Sequence, residues 1–432
     1  MLILHISDIH FRKTEVATTQ DPNFHLRNEL VRDVVAQCQK LGPPDVVIVS
    51  GDIAYAGDPA EFAFATDWLR ELCNACGAKL ESVFVCPGNH DVVRERADRY
   101  MVQLIHNAIK TANDPVGEIS KQMRDPDARR LLYEGLDNYN AFALQFFCDL
   151  LPPERTRATR ELLLNDGSTL RLWGLNTAFV SSSCDKERDL FVDQASLQIP
   201  RSAGVVNLVV AHHDLSWLRH SQILEDHLND VAQVQIFGHV HTNRIRREVE
   251  FLRLTASAAN PERSESNWEP GYNFLELSVE GDGDARLLKL RAHVRIWQAA
   301  PGGFQPKRVK DNEVWEHSIK LEAWSAPVGG LVALGESVKS IDETTPTDGG
   351  IGTMPKEGSA MNKLRDVGLR FYRLSFSKKS EIAGRLGLLE EEDMMQPDFE
   401  RFRRVFQRAN QRGKLDELAT AVQNAENGQG GK

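Results

Sequence analysis

Five short turns in this 432-residue chain share one kind of composition: Asp8-x-His10, Gly51-Asp52, Gly88-Asn89-His90-Asp91, His212-His213 and Gly238-His239-Val240-His241. Each follows a short apolar run rich in β-branched residues, such as Val46–Ser50 or Val205–Ala211. Runs of that kind read as buried strands of an α/β sheet. Loops at one end of such a sheet bring residues distant in sequence onto one spot. The chain must therefore fold so that these strand ends share a face. A cluster of Asp, Asn and His with no thiolate suits two divalent cations bound through oxygen and imidazole.

The intervening segments support this. Leu2–Ile6 reads as a strand. His25–Leu41 has helical spacing through Leu26, Leu30, Val34 and Cys38, and Gly42-Pro43-Pro44 ends it. Val46–Ser50 is a strand, Ala60–Cys76 a helix with Phe62, Ala65, Leu69 and Leu72 on one side, and Ser82–Cys86 a strand. This βαβαβ order predicts an α/β core, at least partly parallel. Residues 92–150 interrupt it with Arg/Asp-rich helical patterns and read as an inserted cap beside the site. Strands resume at Leu170–Leu175, Val205–Ala211 and Val234–Phe237. Glu250–Thr255 and Asn273–Val279 are expected as strands of a second sheet. Leu287–Trp297 and His317–Leu321 are expected as two more, joined by a loop.

Residues 1–324 thus form one expected domain. Residues 325–360 carry Pro327, Gly329-Gly330, Pro346, Gly349-Gly350 and Pro355 and read as a flexible linker. From Met361 helical spacing returns, with Phe399, Phe402, Val405 and Phe406 on one stripe, so 361–432 is expected to be a small all-α domain.

Composition excludes some classes. Hydrophobic residues are 41% and charged residues 26%, ordinary for a globular protein. No apolar run approaches the ~20 residues a membrane span needs. A strand at Leu2–Ile6 followed by a candidate ligand at Asp8 argues against a cleaved leader. The six cysteines are irregularly spaced, which suits free thiols in a reducing cytoplasm. Cys73-x-x-Cys76 has no second pair and lies in a helical pattern, so it is read as structural. The net charge of −10 disfavours nucleic acid over the surface as a whole. Between Met361 and Lys432, however, 14 Lys+Arg face 11 Asp+Glu, so the tail is net positive. Cations in a site can also outweigh an acidic surface locally.

Phosphate-ester hydrolysis needs an activated water, neutralised phosphoryl charge and a proton for the leaving oxygen. Two cations ~3.5–4 Å apart meet the first two needs by sharing a hydroxide and clamping phosphoryl oxygens. A nearby His that is not a ligand can meet the third.

The ordered set of turns resembles the full signature of calcineurin-like metallophosphoesterases across roughly residues 1–295. The resemblance implies a four-layer α/β/β/α sandwich with a dimetal site at the strand ends. It assigns Asp8, His10 and His241 to one cation, Asn89, His212 and His239 to the other, and Asp52 to a bridge. It makes His90 the general acid and Asp91 its orienting partner. His212 is preferred over His213 because relatives place the ligand directly after the strand. Many relatives have Pro after this His pair, whereas this chain has Asp214. Manganese is the expected cation, with iron, zinc and magnesium compatible.

The tail, over about 365–422, resembles a bacterial effector-associated domain, a helical death-fold-like adaptor. The resemblance rests on phrases such as Ile382-Ala383-x-x-Leu386-Gly387 and Arg412-Gly413-Lys414-Leu415. It implies a protein partner held through the tail. Together the two resemblances imply a phosphodiesterase, nuclease-like, acting as an effector in a bacterial defence system on nucleic acid or a nucleotide. The alternatives are a cyclic-nucleotide phosphodiesterase or small-molecule phosphatase, and a metal-bound scaffold acting through its tail.

Overall fold

The computed structural model describes residues 1–16, 18–265, 268–308, 310–326 and 359–427. The linker expected over 325–360 lies, for residues 327–358, outside the described residues.

Strands β1 (Leu2–Ile6), β2 (Val46–Val49) and β3 (Val83–Val85) are parallel neighbours. Ile6 pairs with Val49, and Val49 with Val85, so the turns that follow them start level. Helices α1 (Phe24–Leu41) and α2 (Pro59–Cys76) make the crossovers. Asp58 and Glu61 close a capping box at the start of α2, with Pro59 as its first residue, which fixes where the chain turns back.

The second sheet has the order β4 (Arg157–Leu163), β5 (Thr169–Leu175), β6 (Val205–Ala211), β7 (Val234–Phe237), β9 (Leu252–Thr255), β8 (Arg244–Arg247). Ala211 pairs with Phe237 and Phe237 with Thr255, so these ends are level too. Strands β4 and β8 were not foreseen. They are the two edges, and Arg-rich edge strands lack the apolar run that marks a central one.

One expectation is overturned. Glu250–Thr255 and Asn273–Val279 do not share a second sheet. Strand β9 joins β7, whereas β10 (Gly271–Glu280) pairs antiparallel with β1 in the first sheet. It is followed there by β11 (Leu287–Ala299), β12 (Gly302–Pro306) and β13 (Trp315–Lys320). The apolar pattern of a strand states how deeply it is buried, not which neighbour covers it. The expected loop after β11 contains β12.

Alternation along β6 fixes the layering. Leu208 and Val210 join the large core that also holds Ile3, Val47 and Phe84 of the first sheet. Val209 and Ala211 face the other way, onto Leu224 and Leu228 of α8 (Ser221–Val231). On the far side of the first sheet, Asp33 of α1 accepts hydrogen bonds from Tyr272 and Arg295 of β10 and β11. The result is the expected helix/sheet/sheet/helix sandwich.

The segment expected as a cap is helical: α3 (Arg94–Ala97), α4 (Tyr100–Thr111), α5 (Pro115–Arg124), α6 (Pro126–Glu134) and α7 (Asp137–Ala143). Arg96 and Arg130 both pair with Asp137, and Arg99 pairs with Glu134, tying its ends together.

The tail folds as α9 (Ser359–Arg373), α10 (Phe376–Arg385), α11 (Asp398–Gln411) and α12 (Leu415–Glu426). The expected stripe residues Phe402, Val405 and Phe406 pack with Phe371, Ile382, Leu418 and Val422. This domain docks on the sandwich. Leu369 enters the main core, and Phe147 packs against the tail's core. A charged network crosses the seam. Asp149 accepts from Arg403 of α11 and from Arg155 at 2.9 Å, and Arg155 also reaches Glu400 at 2.6 Å. Asp149 and Glu400 are almost fully buried. Breaking a buried pair strands a charge without solvent. Asp149→Ala is therefore expected to destabilise the chain by roughly 3–5 kcal/mol in urea unfolding. Its effect and that of Arg403→Ala should be less than additive, and simple additivity would show that the two do not interact across the seam.

Candidate metal centre

The level strand ends deliver the turns to one place. The turn after β1 carries Asp8 and His10, that after β2 Asp52, that after β3 Asn89, that after β6 His212, and that after β7 His239 and His241. The first sheet supplies four of these side chains and the second sheet three. Asp8, His10, Asp52, His239 and His241 all have positive φ, between 51° and 68°. Holding a non-glycine residue in a sparsely populated region costs of order 1–3 kcal/mol, and such residues cluster at functional sites. Gly51, at φ 92°, lies so close to His212 that a Cβ would stand 2.6 Å from its Nδ1. A Cβ on Gly88 would overlap the Asp52 carboxylate.

All seven expected side chains come together. Asp8 Oδ1 is fully buried without a well-formed hydrogen bond. Three imidazole nitrogens converge on it: His241 Nε2 at 3.2 Å, His10 Nε2 at 3.9 Å and His212 Nε2 at 4.0 Å. Asp52 Oδ2 lies 3.1 Å from His212 Nε2 and 3.9 Å from His10 Nε2, so it reaches both halves of the cluster. Asn89 Oδ1 is 3.2 Å from His212 Nε2. The His239 ring stands 5.1 Å from that of His212. Overlapping groups, Asp8–His10–His241, Asp8–Asp52–His212 and His212–His213–His239 among them, each bring three ligand atoms within 4.8 Å of one another. An oxygen facing several nitrogen lone pairs, all buried, is the environment a divalent cation fits.

Both histidines of the His212-His213 pair reach Asn89, His213 at 3.1 Å. His212 Nδ1 bonds the Ser50 carbonyl at 2.9 Å, and a carbonyl only accepts. Its Nδ1 therefore carries the proton, and Nε2 presents its lone pair toward Asp52. His213 is held through Nδ1 by Thr177 at 2.8 Å.

The charges are strongly coupled. Burial alone would lower His212 and His241. The Asp52 and Asp8 carboxylates overcome this and hold His212 at about 9. Asp8, aided by Glu265, likewise holds His241 at about 10. Burial wins at His10 and His239, which fall to about 3. Burial would raise Asp8 and Asp52, but the neighbouring imidazoles hold both carboxylates below their ordinary range. Protons on His212 and His241 thus neutralise the same carboxylates a cation would.

One expected role changes. Asp91 does not orient the His90 ring. Its Oδ1 accepts from the Ile53 and Ala54 N–H groups at 3.0 and 2.8 Å, and its Oδ2 from that of Gly88 at 2.9 Å. Asp91 stitches the loop after β2 to the loop after β3. His90 is instead oriented by Tyr55, whose carbonyl takes its Nδ1 proton at 2.8 Å, while its own N–H donates to Asp52 at 2.8 Å. Nε2 is left for the site, and it lies within ligand reach of His10 and Asp52. The sequence reading missed Tyr55 because a carbonyl carries no side-chain signal.

It also missed Glu265, whose oxygens lie 2.8 and 3.0 Å from His241 Nδ1. A carboxylate on the far nitrogen of a ligating His fixes its tautomer and raises its basicity. Trp217 was missed as well; its ring stands 4.2 Å from that of His239. Of the aromatic residues considered for base stacking, Tyr272 is fully buried on Asp33, and Trp268 donates to the Pro261 carbonyl under Arg263.

Known proteins agree with this geometry. The calcineurin-like phosphoesterase family profile matches residues 1–243. The chain belongs to that family. Over 271 residues this phosphoesterase is 25% identical to the uncharacterized metallophosphoesterase-like protein YydB of Bacillus subtilis, spanning 59% of this chain and 53% of that protein. Over 92 residues it is 38% identical to the glycerophosphodiester phosphodiesterase GpdQ of Enterobacter lignolyticus, spanning 21% of this chain and 30% of that one. The chain thus spans about half or less of the curated relatives it matches. A solved structure of a predicted phosphoesterase from Streptococcus pneumoniae TIGR4 aligns with 73% of this chain and 97% of its own, at 12% identity and a TM-score of 0.29. The tail matches the GTPase-associated adaptor domain over residues 363–424, an adaptor at the place expected, under a different family name from the effector-associated domain. No helix among the described residues is long and apolar enough to cross a membrane.

Two outcomes follow. Cation uptake must displace the protons on His212 and His241, so Mn²⁺ affinity is expected to rise between about pH 6 and pH 9, with proton release visible by calorimetry in buffers of different ionisation enthalpy. Uptake without proton release would contradict the charge state given. Gly88→Ala should push Asp52 aside and lower bound metal, measured by elemental analysis of the folded variant.

Proposed function

We propose that this phosphoesterase is a dinuclear-metal phosphodiesterase acting on nucleic acid or nucleotides, a nuclease-like effector of a bacterial defence system. The observation that carries the reading is the convergence of three imidazole nitrogens on the buried Asp8 Oδ1, beside a His90 whose Nε2 is left for substrate. Asp8, His10 and His241 would hold one cation, Asn89, His212 and His239 the other, and Asp52 would bridge. Bound there, two divalent ions would supply a nucleophilic water near neutral pH and neutralise the phosphoryl oxygens. His90 would then deliver a proton from Nε2 to the leaving oxygen, held in line by the Tyr55 carbonyl.

Arg94 supports a polyanionic substrate. It is exposed, its guanidinium lies 3.4 Å from the His90 ring, and no carboxylate pairs with it among the described residues. The neighbouring Arg96 and Arg99 are both paired. The adaptor domain supports recruitment by a protein partner, which would raise the enzyme's local concentration at its target.

His90→Ala is expected to keep the metal content and lose roughly 10²- to 10⁴-fold in turnover; an unchanged rate would remove His90 from the chemistry. With Mn²⁺, the chain should cleave single-stranded DNA or RNA. Turnover of cyclic AMP or an aryl phosphate without strand cleavage would replace the nuclease reading by a small-molecule one. Inertness toward all of them would favour a scaffold.

A further inference from the structure

The loop after β6 departs from its relatives at Asp214, and the departure has a structural product. The Asp214 carboxylate accepts from the Ser216 N–H at 2.9 Å and the Ser216 hydroxyl at 2.6 Å, and its carbonyl accepts from the Trp217 N–H at 3.2 Å. These bonds wind Leu215–Trp217 into a single 3-10 turn. Leu215 and Leu218, on either side, are buried in the core beneath α8. The Trp217 carbonyl accepts from the Leu190 N–H at 3.2 Å, and the Arg219 N–H donates to the Leu190 carbonyl at 2.8 Å. The turn is thus anchored on both flanks, and the indole has little freedom to swing away.

That indole is half-buried and stands edge-on to His239, with ring centroids 4.2 Å apart and planes at 83°. It also lies 6.2 Å from the His213 ring. A core tryptophan would be covered, and one serving only to pack His239 would not need solvent. A rigid aromatic surface, partly open beside the ligands of one cation position, is what a planar group of the substrate needs for stacking.

Resting on the phosphodiesterase reading, we propose that Trp217 is the seat of a nucleobase, so that the preferred substrate is a nucleoside-bearing phosphodiester. The base stacks on the indole while the scissile phosphate lies over the cluster of Asp8, Asp52 and His212. Trp217 sets specificity; it moves no proton.

The test compares two diesters with the same leaving group, thymidine 5′-(4-nitrophenyl phosphate) and methyl 4-nitrophenyl phosphate. The wild-type chain with Mn²⁺ is expected to favour the thymidine ester in kcat/KM. Trp217→Ala should lose on the order of tenfold to a hundredfold on that ester and change less than about twofold on the methyl ester. Trp217→Phe, which keeps a stacking ring, should retain most of the preference. Independently of turnover, calorimetric binding of thymidine 5′-monophosphate should weaken in Trp217→Ala while Mn²⁺ content stays at the wild-type level. Equal losses on both esters, loss of bound metal in Trp217→Ala, or a wild type indifferent to the nucleoside would overturn the assignment and leave Trp217 as packing for His239. Hydrolysis of neither ester by the wild type would overturn the phosphodiesterase reading first, and this inference with it.

Discussion

Two buried carboxylates organise this molecule. Asp8 and Asp52 have essentially no solvent exposure, and neither can be buried ionised without nearby positive charge. Their partners come from both sheets: His10 lies on the same sheet, and His212 and His241 follow strands of the other. The sandwich therefore closes over charges that each sheet leaves unbalanced by itself. The same constraint explains the crowding around Gly51 and Gly88, where a side chain would enter space taken by His212 or Asp52. It also explains why five ligand-type residues sit at positive φ, an arrangement that persists because neighbouring turns over-determine it.

A shell of backbone and side-chain contacts surrounds those carboxylates and sets what each group can do. Asp91 spends both oxygens on peptide N–H groups and so fixes the distance between the Asp52 and Asn89 loops. Carbonyls of Ser50 and Tyr55 fix the tautomers of His212 and His90. Glu265, beyond the stretch matching the family, reaches back to His241. Trp217 closes the His239 side.

The tail is not simply appended. Its α9 contributes Leu369 to the main core, and Asp149, Arg155, Glu400 and Arg403 join it to the segment after α7. That segment reaches the site by short steps. Asn138 of α7 donates to the Gly57 carbonyl, Val93 donates to that of Gly135, and both loops adjoin the one carrying His90. Adaptor and catalytic sandwich thus share packed contacts as well as a covalent connection.

Much of this was legible in the chain. The apolar runs at Leu2–Ile6, Val46–Val49, Val205–Ala211 and Val234–Phe237 could only be buried strands, and the Asp, Asn and His after them could only be spent at a shared end. The helical spacing of the tail stripe fixed which residues would form its small core. Tertiary structure decided the rest. Apolar periodicity measures burial but carries no label for a neighbour, so nothing local placed β10 beside β1 and β9 beside β7. Edge strands β4 and β8 are charged and gave no signal. The orienting role passed from Asp91 to a carbonyl, and Trp217 reached His239 through a turn, because hydrogen-bond partners are chosen by distance in space, which only the closed sandwich defines.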